Sequence, residues 1–333
     1  MPKRLLCWLI AASCMMMIYP AFAVPSDYTK RSEVIQFIEE ISKKHDLDNI
    51  WLMNLLSQAE YQSTVIKAIL PGTKATRSWK RYRSIMVNET RITQGLAFWR
   101  ENRATLQRAE QTFGVPAKYI VAIIGIETAY GRTMGNYRLI DALTTLAFDY
   151  PRRAAFFKGE LEQFLLLCKE QGWDPLTIKG SYAGAIGLPQ FMPSSYRQYA
   201  VDFNQDGKIR LFDSPEDAIG SVANYLKEKG WQTNEPVADP VSFKTTLPNT
   251  EKWQNPTIAP ELTASQLEVF LPSYPNGEPT QSFALIPLET PKEPTLYWLG
   301  YPNFYVITRY NQSSFYAMSV FQLGEALEKR MQK

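Results

Sequence analysis

The chain has 333 residues, 45% hydrophobic and 21% charged, with a net charge of +3. This composition suits a globular core divided over about one to three domains. It leaves no basic surplus for a nucleic-acid surface. A single histidine, His45, stands in the polar run KKHDLD, with nothing nearby to support a His-bearing zinc site or a Ser-His-Asp triad.

Residues 1–23 begin with Lys3 and Arg4. They continue through an apolar run, Leu5 to Ile18, and end on Ala21-Phe22-Ala23. This is the plan of a secretory signal peptide cleaved after Ala23. The apolar run is short for a membrane anchor. Lipidation at Cys14, which would give an outer-membrane lipoprotein, is the alternative to a soluble periplasmic form. Cleavage leaves Cys168 as the one cysteine, so no intramolecular disulfide is expected. Its setting, FLLLCKE, is that of a core residue.

Residues 24–114 form an N-terminal α region. Arg31 to Ser42 reads as an amphipathic helix, 48–58 as a short second one, and Arg91 to Phe113 as a longer one with Leu96, Trp99, Leu106 and Ala109 inward. Between them SWKRYRSIMV is basic and aromatic without helical spacing, and is expected to lie over a groove. Residues 115–233 form the core of the chain. In YIVAIIGIETAYGR, Pro116 suits the first helical position. Ile120, Ile123, Ile124 and Glu127 then fall on one helical face. A carboxyl continuing an apolar stripe is desolvated, and its pKa rises toward neutrality. The plainer alternative is a paired or capping Glu. Helices follow at Asp141–Phe148 and Arg153–Gln171. The irregular segment GSYAGAIGLPQF then allows close backbone approach to a ligand. Further helices begin at Pro193 and at Ser214-Pro215.

The segment from Asp202 repeats the spacing of a calcium loop. Asp202, Asn204 and Asp206 take positions 1, 3 and 5, Gly207 the turn, and Lys208 the carbonyl position. Either Asp213 or Asp217 closes the site. One loop without a partner, spanning 202–217, suggests a structural Ca2+ ion rather than a sensor. Residues 234–302 are proline-rich with short β-prone runs (VSFKTTL, SFALIPL, TLYWLG) and read as a small antiparallel β domain. Residues 303–333 return as strand or loop and a final helix from about Ser313 to Lys329. The fold class is mainly α.

IETAYGR, ALTTLAFDYPRRAAFF, GSYAGAIGLPQFMPSSYRQYAVDFNQDGKI, DAIGSVANYLKEKGW and ITRYNQSS stand in one order over nearly all of the mature chain. Together they resemble the periplasmic lytic transglycosylases. The resemblance implies a lysozyme-like helical core with an additional α domain, a small β domain and one calcium ion. It implies cleavage of peptidoglycan glycan strands between N-acetylmuramic acid and N-acetylglucosamine with a 1,6-anhydromuramoyl end. It puts the catalytic acid at Glu127, an orienting hydroxyl at Ser181, and groove residues at Gln190, Tyr82, Arg152, Arg153, Phe156, Tyr225, Tyr310, Asn311 and Tyr316. One carboxyl acts as acid and then base. No organic cofactor and a monomer are expected. A hydrolytic muramidase and a non-catalytic calcium-stabilised wall-binding protein are the competing readings.

Overall fold

The computed structural model describes residues 27–70, 78–243, 256–268 and 282–332. The expected signal segment and Cys14 lie outside them. The N-terminal helices are α1 (Ser32–His45), α2 (Asn49–Leu56), α3 (Ser63–Ile69), α4 (Trp79–Met86), α5 (Glu89–Glu101) and α6 (Arg103–Phe113). The central helices are α7 (Ala117–Thr128), α8 (Leu139–Asp149), α9 (Ala154–Gln171), α10 (Pro193–Tyr199) and α11 (Pro215–Glu228). After the short α12 (Ala264–Glu268), α13 (Pro302–Thr308) and α14 (Ser314–Met331) close the chain.

Helix α7 is apolar on nearly every side, with Lys118 and Glu127 its charged residues, as suits a helix enclosed by others. Ten of its twelve residues are buried, and α14, α5, α6 and α11 pack against it. Close approach depends on small residues. A Cβ at Gly324 of α14 would stand 3.1 Å from the Tyr119 ring. Lys118 then ties the two helices by ion pairs to Glu325 and Glu328. Helices α8 and α9 pair as a hairpin, with α10 laid across α9. One buried cluster runs from Tyr28 through α7 to Leu327, so residues 24–114 and 115–233 share a core. Cys168 belongs to it, 1% exposed.

Strands β1 (Tyr137–Arg138) and β2 (Lys179–Gly180) form a two-stranded ribbon. Strands β3 (Ala238–Val241), β4 (Leu262–Thr263), β5 (Ser282–Leu288) and β6 (Leu296–Gly300) form an antiparallel sheet in the order β3-β6-β5-β4. Its period-2 alternation serves two cores. Phe283 and Leu285 pack with Leu262, Leu267 and Tyr301, while Ala284, Ile286 and Leu288 join the main cluster. The sheet is thereby fixed to the helices and to α4, whose Trp79 N–H donates to Glu289 O at 2.8 Å.

Four local expectations are corrected. SWKRYRSIMV is helical because Ser78 caps it, accepting from Arg81 N, and because Trp79, Tyr82 and Met86 share one face. The segment 91–113 is two helices broken at Asn102, whose backbone N–H and Nδ2 both donate to Phe98 O. Pro116 precedes α7 as its N-cap, with ψ 135. NFYVIT is helix α13, opened by Pro302 and held by buried Phe304, Val306 and Ile307. Most of VSFKTTL lies outside the described residues. Among the described residues no helix is long and apolar enough to cross a membrane.

Leu143 of α8 is wholly buried and touches the glycine-rich segment at Gly184. Leu143→Ala is expected to lower the unfolding free energy by about 2–5 kcal/mol, measured by denaturant titration.

Candidate active site

Glu127 stands in the last turn of α7. The chain leaves that turn through three consecutive residues with positive φ: Ala129 (49°), Tyr130 (60°) and Gly131 (86°). The turn is fixed by Thr128. Its buried hydroxyl accepts from Gly131 N at 3.0 Å and lies 3.0 Å from Leu188 O.

Tyr316, near the start of α14, donates a 2.6 Å hydrogen bond to Glu127 Oε1. Tyr310 stacks on Tyr316, with centroids 6.3 Å apart and planes 15° apart. Its hydroxyl donates to Pro189 O at 2.6 Å. Pro189 follows Leu188, which meets Thr128. Glu127 is thus one member of a closed ring of contacts: Glu127, Tyr316, Tyr310, Pro189, Leu188, Thr128. Tyr225 and Phe191 support Tyr310 from behind, at 4.9 and 5.8 Å between centroids.

Glu127 keeps some surface exposure, yet protein crowds its carboxyl. That desolvation lifts its pKa from 4.5 to about 7, against the opposing effect of the Tyr316 hydrogen bond, which favours the carboxylate. Its place at the C-terminal end of α7, where the helix dipole is negative, also disfavours the ionised form. Tyr310 and Tyr316 are both held well above 10, by burial first and then by the Glu127 charge. They remain neutral hydrogen-bond donors. Tyr82 on α4 is raised by burial and by the same charge, and its ring lies 5.7 Å, centroid to centroid, from that of Phe315, the neighbour of Tyr316.

The remaining expected residues divide. The hydroxyl of Ser181, expected to orient the acid, accepts from Ala185 N at 3.0 Å in the glycine-rich turn. The bond to the acid comes from Tyr316. Gln190, at φ 51°, donates through Nε2 to Gly187 O and Met134 O. Tyr225 donates to Arg309 O at the turn leading to Tyr310. Arg152 and Arg153 are exposed at the start of α9. The Arg153 guanidinium stands 4.1 Å from the centre of the exposed Phe156 ring. Asn311 is exposed beside the tyrosines. Sequence reasoning did not single out Thr128 for any role. Its position beside Glu127 in the quoted IET motif was the available signal.

The calcium loop is formed in part. Gly207 turns at φ 85°. Asp202 accepts from Asp206 N and Gly207 N, and Asn204 Oδ1 accepts from Asp206 N. Lys208 N donates to Asp206 Oδ1. The oxygens of Asp202, Asn204 and Asp206 and the Lys208 carbonyl are donors of the type calcium takes. The two expected closing acids make contacts of their own. Asp217 is fully buried, and its oxygens accept from Phe203 N, Asn204 N and Arg210 N. Asp213 is exposed, 3.9 Å from Arg210 Nε. Arg210 Nη2 pairs with Asp206 Oδ2 at 2.6 Å. Among the described residues no group of three or more His, Cys, Asp or Glu side chains is arranged to hold a metal.

The family model described as Transglycosylase SLT domain matches residues 29–325. The chain belongs to this family. It is 44% identical over 312 residues to membrane-bound lytic murein transglycosylase B of Escherichia coli strain K12, covering 90% of this chain and 84% of that protein. It superposes on the soluble lytic transglycosylase SltB1 of Pseudomonas aeruginosa with a TM-score of 0.82 at 42% identity, covering 90% of this chain and all of the other. The E. coli lytic transglycosylase Slt35 in complex with calcium gives a TM-score of 0.81 at 43% identity, covering 91% and 94%.

Replacing the donor to Glu127 tests the electrostatics. Tyr316→Phe removes a bond that favours the carboxylate, so the pKa of Glu127 rises further. The alkaline limb of the activity profile, where the proton is lost, is expected to move up by about one unit. The raised pKa also carries a stability consequence. The protonated acid favours the fold fully below about 4.5, and that contribution is lost as pH rises through about 7. Glu127→Gln is therefore expected to raise the melting temperature at pH 8 more than at pH 4.

Proposed function

We propose that this enzyme, a lytic murein transglycosylase by family, uses Glu127 as its single acid and then base. The observation that carries the reading is a carboxyl held near a pKa of 7 at the end of an apolar helix, hydrogen-bonded by a tyrosine that stays neutral. At neutral pH a large fraction of such a carboxyl is protonated. Its proton goes to the glycosidic oxygen as the bond from the muramic acid C1 to that oxygen breaks. The carboxylate left behind takes the proton of the same sugar's C6 hydroxyl, whose oxygen bonds to C1. The leaving sugar departs with a free hydroxyl, and the 1,6-anhydro ring is the activity of the family.

A retaining or inverting hydrolase uses a second carboxylate. Buried Asp141 is paired with Arg138, and Asp149 with Arg31 and Tyr28. These pairings favour Glu127 acting alone. Tyr316 and Tyr310 are read as the wall that holds the acid, and Tyr82, Gln190, Phe156 and Asn311 as sugar contacts. Arg152 and Arg153, two exposed cations, suit the carboxylates of a stem peptide. The basic and apolar leader with its small-residue end supports secretion and work on periplasmic peptidoglycan strands. The expected lipid anchor at Cys14 and the expected monomer belong to the same proposal.

Calcium is proposed as a structural ion. The support is the 1, 3, 5 spacing of Asp202, Asn204 and Asp206, the turn at Gly207, and the calcium complex of the E. coli relative. Bound there, it would cross-link the loop before α11. Asp202, Asn204, Asp206 and the Lys208 carbonyl would hold it, with Asp217 bracing the loop backbone.

Glu127→Gln is expected to cut product release from isolated sacculi by about 10³-fold or more while strand binding persists. Full activity in that variant contradicts the reading. A calcium chelator is expected to lower the melting temperature, read by thermal shift, with activity at low temperature little changed.

A further inference from the structure

Arg91 is an anomaly. It sits at the third position of α5, where the helix dipole is positive and a cation is disfavoured. It is half-buried, and among the described residues no carboxylate lies within ion-pair distance of it. Burial lowers its pKa from the ordinary arginine value. A charge in such a place needs compensation. The compensation comes from two other helices. Arg91 Nε donates to Gly125 O at 3.0 Å, in the last turn of α7, and Nη1 donates to Ile85 O at the end of α4. Both carbonyls belong to helix C-termini, the negative ends. Asn88, the cap of α5, donates to the same Ile85 O at 2.9 Å. The guanidinium fork therefore joins the ends of α4 and α7.

Those two helices carry the two sides of the groove: α7 bears Glu127, and α4 bears Tyr82. The Tyr82 ring lies 5.7 Å from that of Phe315, whose neighbour Tyr316 donates to Glu127. We infer that Arg91 is a positioning residue that sets Tyr82 against Glu127 by clamping the C-terminus of α4 to that of α7. This rests on the proposed groove. A lysine could not replace it fully, because a point charge lacks the planar fork that reaches two carbonyls at once.

The test is steady-state kinetics on soluble peptidoglycan strands with the full mature chain. Arg91→Gln is expected to raise KM about tenfold, with kcat and the alkaline pH limb held near wild type. Arg91→Lys is expected to fall between. Tyr82→Ala is expected to raise KM similarly, and Arg91→Gln is expected to add little in that background, because both act through one contact. An unchanged KM in folded Arg91→Gln, or an effect that adds fully to that of Tyr82→Ala, overturns the clamp. If Arg91→Gln does not fold by circular dichroism, Arg91→Lys is judged by the same KM and the same double variant. Glu127→Gln run alongside separates the two readings. If it is active, the groove assignment fails; if it is inactive while Arg91 variants keep wild-type KM and pH behaviour, the clamp alone fails.

Discussion

The structure around Glu127 depends on one constraint, which is that a carboxyl must be kept short of water without being neutralised by a cation. α7 supplies the setting. It is buried along nearly all its length, and its negative end falls where Glu127 stands. A salt bridge there would have pulled the pKa down and left a permanent carboxylate. A tyrosine instead supplies direction without charge. The 2.6 Å bond from Tyr316 orients Oε1 and costs the acid only part of its raised pKa.

That choice makes the fold around it necessary. Tyr316 can serve only if α14 lies close along α7, which Gly324 permits and Lys118 secures. Tyr310 can stack on it only if the turn before α14 is held, which the bond from Tyr225 to Arg309 O does. The segment 187–190 is then pinned from two directions, by Tyr310 at Pro189 and by Thr128 at Leu188. The β sheet is part of the same frame, since it anchors the start of α4 and one face of it enters the main core.

Much of this was legible in the sequence, and for definite reasons. The apolar stripe ending at Glu127 carried the buried acid, because spacing on a helix places a residue without reference to anything distant. Ser214-Pro215-Glu216-Asp217 announced α11 in the same local way. What was missed depends on distant contacts. The partner of Glu127 lies 189 residues away, and no local pattern distinguishes Tyr316 from Ser181 as its donor. SWKRYRSIMV concealed a helix because few of its residues face inward (Trp79, Tyr82, Met86 and Val87) and most of the others are charged or exposed. NFYVIT read as strand or loop, with β-branched and aromatic residues and no helical start beyond its proline, yet Pro302 and the core beneath made it helical. The calcium motif gave the right turn, but Asp217 answers to backbone N–H groups that sequence spacing does not reveal.

The central claim is that the sugar's own hydroxyl, not water, takes the place of the leaving group at C1. Digestion of sacculi in water enriched in ¹⁸O, followed by mass spectrometry of the released muropeptides, measures this directly. One carboxyl working as acid and base predicts anhydromuramoyl products that carry no heavy oxygen at C1. Reducing-end products bearing one ¹⁸O atom would contradict the account and make the groove that of a hydrolase.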